Sequence, residues 1–486
     1  MDPELALDHE ACYRAVTLRD ARFDGRFFVA VKTTGVYCRC GCPARTPLSA
    51  NVAFFPTAAA AQEAGFRPCL RCRPESAPDL GAWRGTSNTV SRALALIEMG
   101  ALDGNDVNAL AERLGVGERQ LRRLFREHLG ASPVAVAQTR RILLAKQLIH
   151  ETRLPMSEIA FASGFGSIRR FNETFQSMFG CAPGGLRRAN RPEISAGPQG
   201  EIALSLRYHP PYDWDAMLAF LRARAIPGVE QVTEQAYCRV VELNGIHGTV
   251  SVRLGDRDSL SATVRFPKLS ALPTIIARLR RVFDLAADPA PISAHLAQDP
   301  ALSSLVRARP GLRVPGAWDG FELAIRAVLG QQVTVAAAVK LAGRLVAAYG
   351  QRLPLPDAGL THAFPTAAAL ANADLASLGM PRSRAAALSA VAAVVEGDGH
   401  FFDATSDLDD AVRRLRAIRG VGEWTAQYIA LRHLREPDAF PAADIALMRA
   451  IAVQDGRAHS STQLLERAQR WRPWRAYAAQ HLWASA

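Results

Sequence analysis

The chain has 486 residues, 49% of them hydrophobic, so it is long enough for several domains and has ample material for ordinary cores. Its formal net charge of +12 and pI of about 9.7 favour an anionic partner, with nucleic acid first. No uninterrupted apolar run is long enough to cross a bilayer, and Met1-Asp2-Pro3-Glu4 lacks the basic-then-apolar layout of a secretion signal. The expectation is a cytoplasmic protein with no membrane partner, acting as a monomer.

Five of the eight cysteines fall between Cys38 and Cys72. In a reducing compartment such clustering points to metal before disulfides. Cys38 and Cys42 form one close pair, Cys69 and Cys72 another. Two pairs separated by a loop can wrap one tetrahedral Zn2+, with sulfur about 2.3 Å from the metal. Arg39, Arg45, Arg67, Arg71 and Arg73 flank the pairs, with Glu63 the only acidic side chain among them. That charge favours phosphate contact. Four thiolates would leave no open metal position for water, which argues against a zinc hydrolase.

The strings Thr33-Thr34-Gly35-Val36-Tyr37-Cys38 and Gly65-Phe66-Arg67-Pro68-Cys69-Leu70-Arg71-Cys72 resemble the N-terminal domain of the Ada family of adaptive-response proteins, over about residues 9–76. The resemblance implies that Cys38, Cys42, Cys69 and Cys72 hold zinc. It also implies that Cys38 accepts a methyl group from a DNA methylphosphotriester. Cys40 stands where the family usually has proline, so it is open to competing as ligand or nucleophile.

After Pro74-Glu75-Ser76-Ala77-Pro78, residues 89–188 carry helical periodicity with two helix-turn-helix units. Val107 to Val116 leads into a helix from Glu118 to His128. Ile159 to Phe165 leads into one from Ser167 to Phe179. Arg119, Arg122, Arg123, Arg169 and Arg170 lie on the second helix of each unit, which would enter the major groove. Gly164-Phe165-x-Ser167-x3-Phe171-x3-Phe175-x4-Gly180-x2-Pro183 resembles the AraC-type regulator signature, which implies promoter DNA as a partner. No Pro-Cys-His-Arg string occurs, so direct reversal of O6-methylguanine is not expected.

Residues 189–201, rich in Pro, Gly and Ser, read as a linker. Strand-like alternation follows, as in Cys238 to Leu243 and Gly248 to Leu254, with helical stretches near Trp214 to Ala225 and Leu272 to Phe283. Beyond Asp284 the pattern is helical. In Leu415-Arg416-Ala417-Ile418-Arg419-Gly420-Val421-Gly422-Glu423-Trp424-Thr425-Ala426, Gly420 and Gly422 allow a sharp turn between helices. They expose N–H groups that bind phosphate without reading sequence. Trp424 and Tyr428 share a helix face.

This motif, with Asp444 after Pro441-Ala442-Ala443, resembles the helix-hairpin-helix glycosylase superfamily. Pro210-Pro211-Tyr212-Asp213-Trp214, Ala324-Ile325-Arg326-Ala327-Val328-Leu329-Gly330-Gln331 and Trp471-Arg472-Pro473-Trp474-Arg475-Ala476-Tyr477 extend the resemblance to the AlkA type of 3-methyladenine DNA glycosylase over residues 203–486. It implies excision of alkylated bases from double-stranded DNA, with Asp444 as catalytic carboxylate. It makes Trp424, Tyr428, Trp483 and Phe220 pocket aromatics. Gln332 takes the place of a leucine wedge, and Ile445 that of a pocket tyrosine. Thr425 occupies the position of the lysine used by strand-nicking relatives, which implies a monofunctional enzyme.

The expected fold is multidomain α+β, divided into a zinc domain (1–78), an all-α double helix-turn-helix domain (86–188), the linker, a mixed α/β subdomain (202–285) and an all-α helix-hairpin-helix core (286–486). The competing function is a methylation-responsive transcription factor whose glycosylase fold only clamps DNA. Asp444 and the aromatic pocket separate the two, because a clamp needs neither.

Overall fold

Short β-branched and aromatic runs make strands in the N-terminal region. β1 (Phe28–Val31) pairs antiparallel with β2 (Val36–Cys38) and with β3 (Val52–Phe55), and β4 (Arg67–Pro68) lies parallel to β2. The order is β3-β1-β2-β4. The computed structural model describes residues 8–20, 23–72, 74, 88–104, 106–189, 201–256, 258–357, 359–403 and 408–485. Arg73 and nearly all of the expected linker lie outside the described residues. By internal contacts the chain forms two compact units. One contains 1–209, 255–261 and 268–277; the other contains 210–254, 262–267 and 278–486.

In the first unit, two helix-turn-helix elements flank the long helix Pro133–Glu151. Asp106 caps Val107–Arg113 and Ser167 caps Ile168–Phe179, each side chain accepting a backbone N–H three residues on. Gly130 and Gly180 end the two second helices in the left-handed conformation. Gly164, in the second turn, has φ +90°, and a Cβ there would sit 2.4 Å from the Asp103 carboxylate, so only glycine fits. Phe165, Phe171 and Phe175 form the buried aromatic row beneath this unit.

In the second unit, β5 (Glu230–Val232), β6 (Ala236–Leu243) and β7 (Ile246–Leu254) pair antiparallel. The helix Trp214–Arg224 precedes them. The rest is mostly helical, with Gly320–Leu329 nearly fully buried, but the core expected to be all-α also holds an antiparallel pair, Arg352–Asp357 with Leu360–His362. Among the described residues no helix is long and apolar enough to cross a membrane.

Candidate functional site

The four cysteines expected to bind metal converge because of the parallel pairing of β2 with β4. Tyr37 lies opposite Pro68, and the Cys69 N–H donates to the Tyr37 carbonyl at 2.9 Å, so the chain leaves both strands side by side at Cys38 and Cys69. Cys42 and Cys72 close the set, and all four sulfurs lie within 4.8 Å of one another. Tetrahedral zinc with bonds of about 2.3 Å needs sulfurs about 3.8 Å apart, so the donor set fits. Hydrogen bonding with the Cys38 thiol holds Cys42 down to about 7 and Cys69 below the ordinary thiol range.

Cys40 is not in this cluster. Its thiol packs with Cys12, Ala15, Val16, Phe27, Val29 and Val52, and burial, with Asp24 and Asp20 nearby, pushes it up to about 12. Arg39 is ion-paired with Asp24 at 2.5 Å and donates to the Cys72 carbonyl at 2.9 Å, bracing the metal loop. Arg45 and Arg71 are exposed and Arg67 half-buried. Lys146, fully buried on the long helix, donates to the Cys69 carbonyl at 2.8 Å. Sequence patterning offers no signal for that contact.

On the helix-turn-helix elements Arg119, Arg122, Arg169 and Arg170 are all exposed. Arg122 pairs with Glu118 at 2.6 Å and Arg169 with Glu173 at 2.7 Å, each one helical turn away. Such exposed pairs are weak enough to exchange for phosphate.

The second unit holds a cavity of about 1570 Å³, where most of the remaining site residues meet. Trp424 and Tyr428, on the helix Glu423–Ile429, stack with ring centres 5.2 Å apart and planes 12° off parallel. Trp483, from the last helix Arg475–Ser485, meets Tyr428 edge-on at 6.3 Å, and Phe220 lines the same cavity from Trp214–Arg224. Asp444 caps the helix Ile445–Asp455. Its Oδ1 accepts the Leu447 N–H at 3.0 Å and the Trp483 indole N–H at 3.0 Å, and its Oδ2 accepts the Trp424 indole N–H at 2.8 Å. One carboxylate therefore ties two aromatic walls together at a fixed orientation.

The hairpin turn is set by Gly420, at φ +85°, where a Cβ would lie 2.4 Å from that of Ala387; Gly422 caps the following helix. Gln332 is exposed at the rim with φ +56°, a left-handed conformation uncommon outside glycine. Its neighbour Gln331, which sequence reasoning did not single out, pins this loop. The amide donates to the Gly420 carbonyl and the Thr425 hydroxyl, each at 3.0 Å. Gln427 was also missed; its side chain accepts the Phe440 N–H at 3.1 Å and holds the segment leading to Asp444.

Comparison with known sequence families matches residues 11–75 to the metal binding domain of Ada and 110–189 to a helix-turn-helix domain. Residues 203–319 match the AlkA N-terminal domain, and 325–476 the HhH-GPD superfamily of base excision DNA repair proteins. A probable bifunctional transcriptional activator/DNA repair enzyme AlkA of Mycobacterium tuberculosis is 43% identical over 480 residues, 98% of this chain and 96% of the relative. The chain belongs to the bifunctional AlkA family of transcriptional activator/DNA repair enzymes. It joins a zinc-binding, helix-turn-helix regulatory half to a hydrolase half of the HhH-GPD type. That second half is 37% identical to DNA-3-methyladenine glycosylase 2 of Escherichia coli over 285 residues, 57% of this chain and 96% of the relative. A 3-methyladenine DNA-glycosylase from Archaeoglobus fulgidus shares the fold, with a TM-score of 0.51 at 20% identity, covering 58% of this chain and 97% of that one.

Proposed function

We propose that the C-terminal half hydrolyses the N-glycosidic bond of alkylated bases of the 3-methyladenine type in double-stranded DNA, with Asp444 as the catalytic carboxylate. The observation that carries this reading is the grip on Asp444. Two indole N–H donors fix its carboxylate at an aromatic cavity large enough to receive a base flipped out of the stack. As the C1′–N bond breaks, its electron pair leaves with the base and the sugar becomes oxocarbenium-like. A fixed carboxylate stabilises that charge, and water adds to C1′.

Trp424, Tyr428, Trp483 and Phe220 supply faces for the base. Gln332 enters the vacated stack, where its amide can hydrogen-bond the orphaned partner base. The hairpin backbone at Gly420 and Gly422 and the arginines Arg119, Arg122, Arg169 and Arg170 hold phosphates and promoter DNA.

At the metal centre, the sulfur of Cys38 attacks the methyl carbon of a phosphotriester. An S–C bond forms, the C–O bond breaks, and a phosphodiester anion leaves. Bound zinc supplies a sulfur kept as thiolate. The burial of Cys40 in another cluster supports Cys38 as acceptor. Arg45, Arg67 and Arg71 position the flanking phosphates, while Arg39 braces the loop.

Thr425 supports a monofunctional enzyme. It cannot form an imine, it is 2% exposed, its hydroxyl accepts from Gln331, and none of the residues lining the cavity is a lysine. The test is release of free methylated base from alkylated DNA, with borohydride present in a parallel reaction. Wild type should release base and leave an intact abasic strand. Asp444→Asn should lose about 100- to 1000-fold in rate. Full activity in Asp444→Asn would remove Asp444 from the catalytic role, no base release even by wild type would return the fold to a DNA clamp, and a borohydride-trapped complex would overturn the monofunctional assignment.

A further inference from the structure

The aromatic cavity has a cation built into its wall. Trp424, Tyr428 and Arg432 follow at four-residue intervals and share a face, carried past Ile429 by the π-helical turn Ala430–Leu434. Arg432 is 3% exposed. Its guanidinium carbon lies 4.4 Å from the ring centre of Phe220 and 5.2 Å from those of Tyr428 and Trp483. It donates to the Pro315 carbonyl at 2.9 Å and to the Gln480 side chain at 3.2 Å, but its Nε–H is buried without an acceptor. A second guanidinium, Arg224, lies 4.0 Å over the Phe220 ring.

Arg432 also bears on the Tyr428 phenol, whose ring it covers. Burial pushes that phenol up, but Arg432 and Arg224 outweigh it and hold it below its ordinary value. Arg432 itself is pulled down by burial only to about 10, so it is charged at neutral pH. Neither guanidinium is ion-paired among the described residues. The carboxylates Glu230 and Glu322 on the same cavity are already matched by Arg239 and Arg326. Asp444 adds one negative charge to the same cavity, so against it the two guanidiniums leave the ring-lined wall net positive, and the rings that would greet a cationic base already face a cation.

Resting on the excision reading above, we propose that Arg432, with Arg224 over the same Phe220 ring, is the specificity-determining group of the pocket, and that it favours departure of bases that are neutral in DNA. A cationic alkylpurine receives the electron pair of the C1′–N bond and leaves neutral. A neutral purine receives the same pair, leaves as an anion, and then takes a proton from solvent, while water adds to C1′ and releases one. A fixed guanidinium stabilises the second departure as charge develops, and repels the cationic base in the ground state.

The test compares single-turnover base release by the full-length protein from duplexes carrying hypoxanthine, which is neutral, or 7-methylguanine, which is cationic. Arg432→Met keeps the stem and removes the charge. The ratio of the hypoxanthine rate to the 7-methylguanine rate should fall about 100-fold, the size seen when one preorganised donor to a developing anion is lost. Arg432→Lys should recover part of that ratio. Arg224→Met removes the second guanidinium over Phe220 and should shift the ratio the same way by less, which covers the case in which Arg432→Met fails to fold. Equal losses on both duplexes would overturn the proposal and make Arg432 a packing residue. So would a wild type that releases 7-methylguanine but no hypoxanthine. A wild type that releases neither base would instead sink the excision reading itself.

Discussion

The cysteine cluster and the aromatic cavity solve the same problem, gathering distant residues at one point, by different means. The four cysteines arrive through one parallel strand pair, with Tyr37 opposite Pro68, and their sulfurs lie within 4.8 Å. The cavity draws Phe220, Gln332, Trp424, Asp444 and Trp483 from five separate segments. Hydrogen bonds and packing hold it, with Asp444 as the knot between Trp424 and Trp483. The first site concentrates its stability in a single ion, whereas the second spreads it over many contacts. Removing one ligand should therefore empty the first site, and removing one wall residue should only degrade the second.

The largest effect belongs to the metal side. Cys69→Ser should reduce bound zinc from about one per chain to near none, because structural zinc contributes on the order of 10 kcal/mol to the domain that holds it. Metal analysis checks this, and full zinc occupancy would break the contrast between the two sites.

A middle-sized effect tests how firmly the cavity unit is packed. His481, on the helix that carries Trp483, is held down to about 4 by burial, with Arg309 adding to it. A depressed histidine contributes stability that is fully present above its unfolded value near 6.5 and is lost as pH falls through 4. The unit should lose about 3 kcal/mol across that window, and His481→Gln should flatten the slope. Denaturation midpoints measured between pH 7 and pH 4 decide it; a wild type with no slope would contradict the burial of His481.

The smallest effect sits at the hairpin. Gly420→Ala meets both a left-handed backbone and the Ala387 Cβ, and should cost about 1–3 kcal/mol of stability while weakening DNA affinity. An unchanged thermal midpoint would show that the turn can relax.

The two sites also differ in how far sequence alone reveals them. Paired cysteine spacing points to Cys38, Cys42, Cys69 and Cys72 while leaving Cys40 open, and Gly164 and Gly420 mark their turns because each answers a local backbone need. Trp424 and Tyr428 are legible for a similar reason, since four-residue spacing fixes a helix face. Arg432 continues that spacing, which is the signal that could have found it, but an arginine on a helix ordinarily reads as solvated. Its burial against Phe220 and Trp483 depends on two other segments. Cys40 stands two residues from Cys38, which in a strand would put both on one side. The strand ends at Cys38, and the turn that follows sends Cys40 into the Phe27 cluster instead. Arg39, Gln331 and Gln427 likewise take their roles from tertiary partners that composition does not announce.

The measurement that bears most directly on two separate chemistries in one chain uses a single DNA carrying both methylphosphotriesters and methylated bases. Asp444→Asn and Cys38→Ser are each incubated with it, and free base and protein-bound methyl are counted in the same reaction. Asp444→Asn should take up methyl at Cys38 and release almost no base; Cys38→Ser should release base and take up no methyl. Base release that survives loss of the Asp444 carboxylate, or methyl found on Cys40, would contradict the account.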